Sequence, residues 1–134
     1  MFNDTEQLLA RALAARESAC AAYSNYKVGA ALQAADGSIY TGCNIESSSY
    51  GLTVCAERVA LWKALSEGQR HFTAIAVVTT SNPPAMPCGA CRQLLWEYCG
   101  DIEVVAVNLN GRRKPLRLSS LFPHPFDPES LRQA

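Results

Sequence analysis

The sequence predicts an α/β protein, a three-layer α/β/α sandwich around a mixed five-stranded sheet, with residues 1–134 forming one domain. The first ground is the order of hydrophobic patterns along the chain, which reads α, β, β, α, β, α, β, β. The second is the segment 72–80, FTAIAVVTT, apolar almost throughout, as in a central strand covered on both faces. The third is size: 134 residues with 49% hydrophobic content supply one core and fall short of two.

From position 4 to about 23 the pattern is helical, with Leu8, Leu9, Ala12, Leu13 and Arg16 along one stripe and Asp4 or Thr5 as its cap. Residues 23–26 read as a loop. The segment 27–35 and the segment 38–43 read as two strands joined at Asp36-Gly37, a pair suited to a type I′ turn. Gly29, Ala30 and Ala31 are weak strand formers, but small residues let a helix or ligand come close. The stretch 44–54 is polar, serine-rich and without periodicity, a loop either functional or disordered, and its place between a strand and the segment opening at Cys55 favours function.

A second helix over 55–67 ends at Gly68. It spreads Ala56, Val59, Ala60, Leu61, Trp62, Ala64 and Leu65 almost all round, which predicts burial on a second side, as at a subunit interface. After the 72–80 strand, Pro83, Pro84 and Pro87 stiffen a loop. A third helix over 88–99 places Cys91, Leu94, Leu95 and Tyr98 on one face. Strands over 102–109 and 114–118 pair around Asn110-Gly111, and Ser119 or Ser120 caps a last helical turn. The tail 123–134 is proline-rich but holds Phe126, which is too apolar for a free tail.

Composition excludes some functions. The net charge is zero and the pI about 6.7, without the basic excess that phosphate contacts demand of a nucleic-acid binder. Arg112-Arg113-Lys114 fits an exposed turn. No apolar run approaches the length of a membrane span. The N-terminus lacks a charged-then-apolar run, so a cytoplasmic protein is expected. The six cysteines are then free thiols or metal ligands rather than disulfides. Cys20, Cys43 and Cys99 read as small buried hydrophobes, and His71 and His124 as loop and tail residues.

Two short segments carry the chemistry. Cys88 and Cys91 have chelating C-x-x-C spacing at a helix start, and Cys55 opens another helix. A structural zinc takes four protein ligands, whereas a catalytic zinc takes three and keeps a position for water. Three thiolates around Zn²⁺ leave a net negative charge, which would weaken the metal's effect on that water. Two helix N-termini, each worth roughly half a positive charge, offset it. Arg58, one turn after Cys55, is placed to hydrogen-bond a thiolate. Glu57, two residues from a ligand, can reach the open side of the metal and move protons. Alone, the C-x-x-C could equally be a redox pair. The two segments together favour a zinc hydrolase.

Cys55-Ala56-Glu57-Arg58 followed by Pro87-Cys88-Gly89-Ala90-Cys91 resembles the zinc-dependent cytidine deaminases, in particular the small homotetrameric class with three cysteine ligands. The resemblance runs from the first helix to about Leu121-Phe122-Pro123. It implies a deaminase-like fold, one Zn²⁺ per subunit on Cys55, Cys88 and Cys91, and Glu57 as proton shuttle. It implies that Asn44 and Glu46 hold the ribose and that the Ala56 N–H binds the pyrimidine 2-oxo group. The family usually has Phe where Tyr26 stands; a tyrosine still stacks on the base, but its hydroxyl needs a partner. Phe126 resembles an aromatic that the family inserts into a neighbouring subunit's site.

The implied activity is hydrolytic deamination of cytidine or deoxycytidine, in pyrimidine salvage, by a homotetramer with no nucleic-acid or membrane partner. A blasticidin-type or nucleotide deaminase is the alternative within the same chemistry. A non-catalytic zinc-stapled module is the alternative outside it. That module would need a fourth ligand, Cys43 or His71, and would leave Glu57 unexplained.

Overall fold

The computed structural model describes residues 4–132. Its centre is a five-stranded sheet, order β2-β1-β3-β4-β5, built from β1 (Gly29–Ala34), β2 (Ile39–Cys43), β3 (Phe72–Thr79), β4 (Glu103–Asn108) and β5 (Arg113–Arg117). The β3–β4 pair is parallel and the other pairs are antiparallel, so the sheet is mixed as expected.

Side-chain alternation assigns the two faces. In register, Leu32 lies beside Ile75 and Ile75 beside Val104, while Ala31 lies beside Ala76 and Ala76 beside Val105. The first row packs with Ala60, Leu61 and Ala64 of α2 (Ala56–Ser66) and Leu95 of α3 (Gly89–Cys99). The second row packs with Leu8, Leu9 and Ala12 of α1 (Asp4–Arg16). Helices cover both faces, completing the three layers. Two glycines allow the close fit. A Cβ on Gly29 would lie 2.1 Å from the Ala12 carbonyl oxygen, and one on Gly42 2.4 Å from that of Ala56.

Several expectations are corrected. Helix α1 stops at Arg16, short of 23, because Cys20 pairs instead with the loop after β2: its N–H donates to the Asn44 carbonyl at 3.0 Å and its carbonyl accepts from Glu46 at 2.9 Å. Asp4 and Thr5 lie inside the first turn of α1 rather than capping it, and Leu13 is 47% exposed. The Asp36-Gly37 turn is not type I′. Only Gly37 has positive φ, Gly37 N–H donates to the Ala34 carbonyl, and Ala34 N–H donates to that of Ser38. That is a three-residue loop closed by a left-handed glycine. Asn108 to Arg112 repeats the pattern with Gly111.

Ser119 and Ser120 fall within the short α4 (Leu118–Leu121), and Asp101 rather than a serine caps it, accepting from the Ser119 N–H at 2.8 Å. A final turn, α5 (Glu129–Arg132), was not expected. Tyr98 is exposed, as is Cys20, while Cys43 and Cys99 are half-buried. On α2, Trp62 is exposed, so its second apolar side is uncovered within the chain. Among the described residues, no helix is long and apolar enough to cross a membrane.

Candidate active site

The site lies where α2 and α3 begin. Cys55 and Cys88 are the N-cap residues of these helices, with extended backbones and no side-chain capping bond. Their carbonyls still accept the first helical hydrogen bonds, from Val59 and Arg92. The backbone is thus held while neither sulfur is spent on capping its helix. Cys91 sits within the first turn of α3 and is fully buried. The buried Pro87 fixes the approach to Cys88, and Arg92 secures it, donating from Nε to the Pro87 carbonyl and from Nη1 to that of Leu121, each at 2.7 Å.

The three sulfurs all lie within 4.8 Å of one another. Tetrahedral zinc with bonds of about 2.3 Å holds thiolates roughly 3.8 Å apart, so the cluster needs little contraction to grip it. The electrostatics point the same way. The Cys91 thiol hydrogen-bonds Cys55 and, with Arg58 Nη2 at 3.2 Å, lowers Cys55 to about 5. The same hydrogen bond, burial and the facing charges of Glu57, Cys55 and Cys88 push Cys91 upward. Crowded sulfurs that repel one another's ionisation are what a divalent cation relieves. Neither Cys43 nor His71 joins the cluster, so among the described residues no fourth protein ligand closes it. The fourth ligand that a stapled, non-catalytic module requires is therefore missing among the described residues.

Glu57 is 5% exposed, and burial, ahead of the nearby Cys55 charge, raises it to about 7. Beside it opens a cavity of about 270 Å³ whose walls include Tyr26, Asn44, Glu46, Cys55, Ala56, Glu57 and Cys88. As the first residue of α2, Ala56 has no helical partner for its N–H. Asn44 accepts from the Val28 N–H at 2.9 Å and donates to the Tyr26 carbonyl at 2.7 Å, which leaves one amide proton for a ligand. Glu46 accepts from the Ser24 hydroxyl and from the N–H groups of Tyr23 and Ser24 at 2.9 and 3.1 Å. The Ser24 bonds hold its carboxyl below the ordinary 4.5.

Arg58 stands behind the sulfurs, outside the cavity wall, as its spacing predicts. Its Nε is buried without a hydrogen-bond partner. Phe126 is not brought to the site. It is 58% exposed and absent from the cavity wall, its backbone N–H and carbonyl held by the Gln93 side chain at 3.2 and 2.7 Å. Sequence reasoning missed Thr79, Ala85 and Met86 in the wall. Thr79 left a faint signal, as a polar residue ending an apolar strand.

A family model described as the cytidine and deoxycytidylate deaminase zinc-binding region matches residues 2–108. The chain belongs to this deaminase family. It is 48% identical over 132 residues to a cytidine deaminase of Sporosarcina psychrophila, covering 98% of this chain and 97% of that one. It is 49% identical over 129 residues to a cytidine deaminase of Halalkalibacterium halodurans, covering 96% and 98%. The crystal structure of cytidine deaminase from Burkholderia pseudomallei superposes with a TM-score of 0.88 at 48% identity, over 94% of this chain and 100% of that one. The deaminase fold and the fit of one zinc ion to the three thiols therefore agree.

Proposed function

We infer that this chain hydrolyses the 4-amino group of cytidine or deoxycytidine, consuming one water and giving ammonia with uridine or deoxyuridine, as a step of pyrimidine salvage. One observation carries the reading: the three-thiol cluster and the buried carboxyl of Glu57 open onto the same small cavity. Cys55, Cys88 and Cys91 would hold one zinc ion per chain, which when bound supplies the Lewis acid that activates water near neutral pH.

The chain's own groups do the rest. Glu57, desolvated and poised to exchange a proton near pH 7, takes a proton from water as the water oxygen bonds to C4 and delivers it to N3 of the cytosine; it then takes the proton of the new C4 hydroxyl and passes it to the 4-amino nitrogen, which leaves as ammonia when the C4–N bond breaks. The Ala56 N–H donates to the 2-oxo group. The spare Asn44 amide proton and the Glu46 carboxylate hold the ribose 3′-hydroxyl, and the Tyr26 ring stacks on the base. Arg58, bonded to Cys55, tempers the sulfur charge. Phe126, exposed and backbone-anchored, is free to reach a neighbouring subunit's site in a homotetramer. The chain works as one domain in the cytoplasm.

Among the described residues, the cavity wall holds two carboxylates, Glu46 and Glu57, and no Lys, Arg or His, which favours a free nucleoside over a 5′-phosphate. Ammonia release from cytidine, deoxycytidine and CMP tests this. Turnover of the nucleosides and little with CMP is expected. Turnover of CMP alone, or of blasticidin S alone, overturns it.

A further inference from the structure

We propose that Ser81 is a positioning residue for the base: it anchors the Tyr26 ring from behind the cavity wall and so sets how tightly the pyrimidine is held. The proposal rests on the cytidine deaminase reading, with Tyr26 as the surface on which the base stacks.

Tyr26 is tethered at both ends. Its carbonyl accepts from Asn44 Nδ2 at 2.7 Å and its N–H donates to the Ser24 hydroxyl at 3.0 Å. At the far tip, the phenol shares a hydrogen bond with the Ser81 hydroxyl. Ser81 is itself fixed, because its N–H donates at 3.2 Å to the hydroxyl of Thr79, which ends β3 and is 2% exposed. The phenol is thereby bolted to the sheet.

Ser81 does not line the cavity, so its hydroxyl acts on a ligand through Tyr26, while its backbone bond to Thr79 is kept in any side-chain variant. A tyrosine ring turns about two torsions, and fixing both the backbone and the hydroxyl removes that freedom. Without Ser81, a half-buried phenol must find another partner. Asn44 and Glu46, polar side chains of the same cavity wall, are assigned to the ribose, so a phenol that turned to them would compete with the nucleoside. A phenylalanine here would stack but would have no such tether.

The test measures cytidine deamination, and calorimetric binding of uridine, for wild type, Ser81→Ala, Ser81→Thr, Tyr26→Phe and the Ser81→Ala/Tyr26→Phe double variant. Zinc content and thermal midpoint are recorded for each. Ser81→Ala should raise KM and the uridine Kd by about 5-fold, the worth of one neutral hydrogen bond, with kcat within about twofold. Ser81→Thr should restore both. The double variant should be no worse than the poorer single one, because both remove the same bond. Unchanged KM in Ser81→Ala, a fall in kcat alone, or single effects that multiply in the double variant would each overturn the proposal. Wild type that neither releases ammonia nor binds uridine overturns the functional reading, and the proposal with it.

Discussion

Glu57 occupies a place where its charge is costly. Apolar packing at the start of α2 strips its hydration, and the neighbouring sulfur charge disfavours ionisation further. A neutral amide of the same shape fits there without that cost, so Glu57→Gln should fold and keep zinc. It should lose roughly 10²–10⁴-fold in turnover, as measured by ammonia release beside metal analysis. Cys88→Ser should lose the metal as well, since the hydroxyl is a poor zinc ligand; metal content reads this directly. Glu46 makes a separate prediction about pH. Its folded-state carboxyl lies below the ordinary 4.5, so its stabilising bonds to Ser24 and Tyr23 are fully present above that value and fade as pH falls through the lower folded value. The gap in melting temperature between wild type and Glu46→Gln should therefore be open near neutrality and close below about pH 4.5. At this scale the ligands and Glu57 were legible because metal chelation compresses them into two short windows of sequence. The Tyr26–Ser81 bond was not, because its partners stand 55 residues apart and meet only through tertiary folding.

The elements place these residues by close contact. Gly42 lets α2 lie directly on β2, and a methyl there would stand 2.4 Å from the Ala56 carbonyl oxygen and 2.6 Å from the Ala60 nitrogen. Gly42→Ala must push the helix away at the turn that carries Cys55 and Glu57. It should cost about 1–3 kcal/mol in urea unfolding and weaken zinc retention as well. Apart from the short α5, helix starts and β strands were legible from periodicity to within a residue or two. The end of α1 was not: its continuation is lost to a pairing of Cys20 with Asn44 and Glu46, which no local pattern announces. The two hairpin loops were placed correctly, but Asp36 keeps a negative φ, so the turn type differed. Local propensity names a turn and the strand register selects its geometry.

At the scale of the whole molecule, an apolar region beside α2 is left uncovered among the described residues. Ile45, Leu52 and Trp62 are 44%, 70% and 46% exposed and line one groove with Val54 and Val59. The even spread of apolar residues around α2 foretold that uncovered side, while the strand order β2-β1-β3-β4-β5 lay beyond the sequence pattern. Sedimentation of the zinc-loaded protein should give a homotetramer, and Trp62→Lys should shift it to smaller species with the chain still folded. The two sulfur-bearing helix caps have a further effect on the molecule as a whole. The ion that serves chemistry also rivets α2 to α3, so scarcity of metal would do more than idle the enzyme. A chelator should lower its melting temperature and unbutton the seam between the helices, turning zinc supply into a control on how long each copy survives.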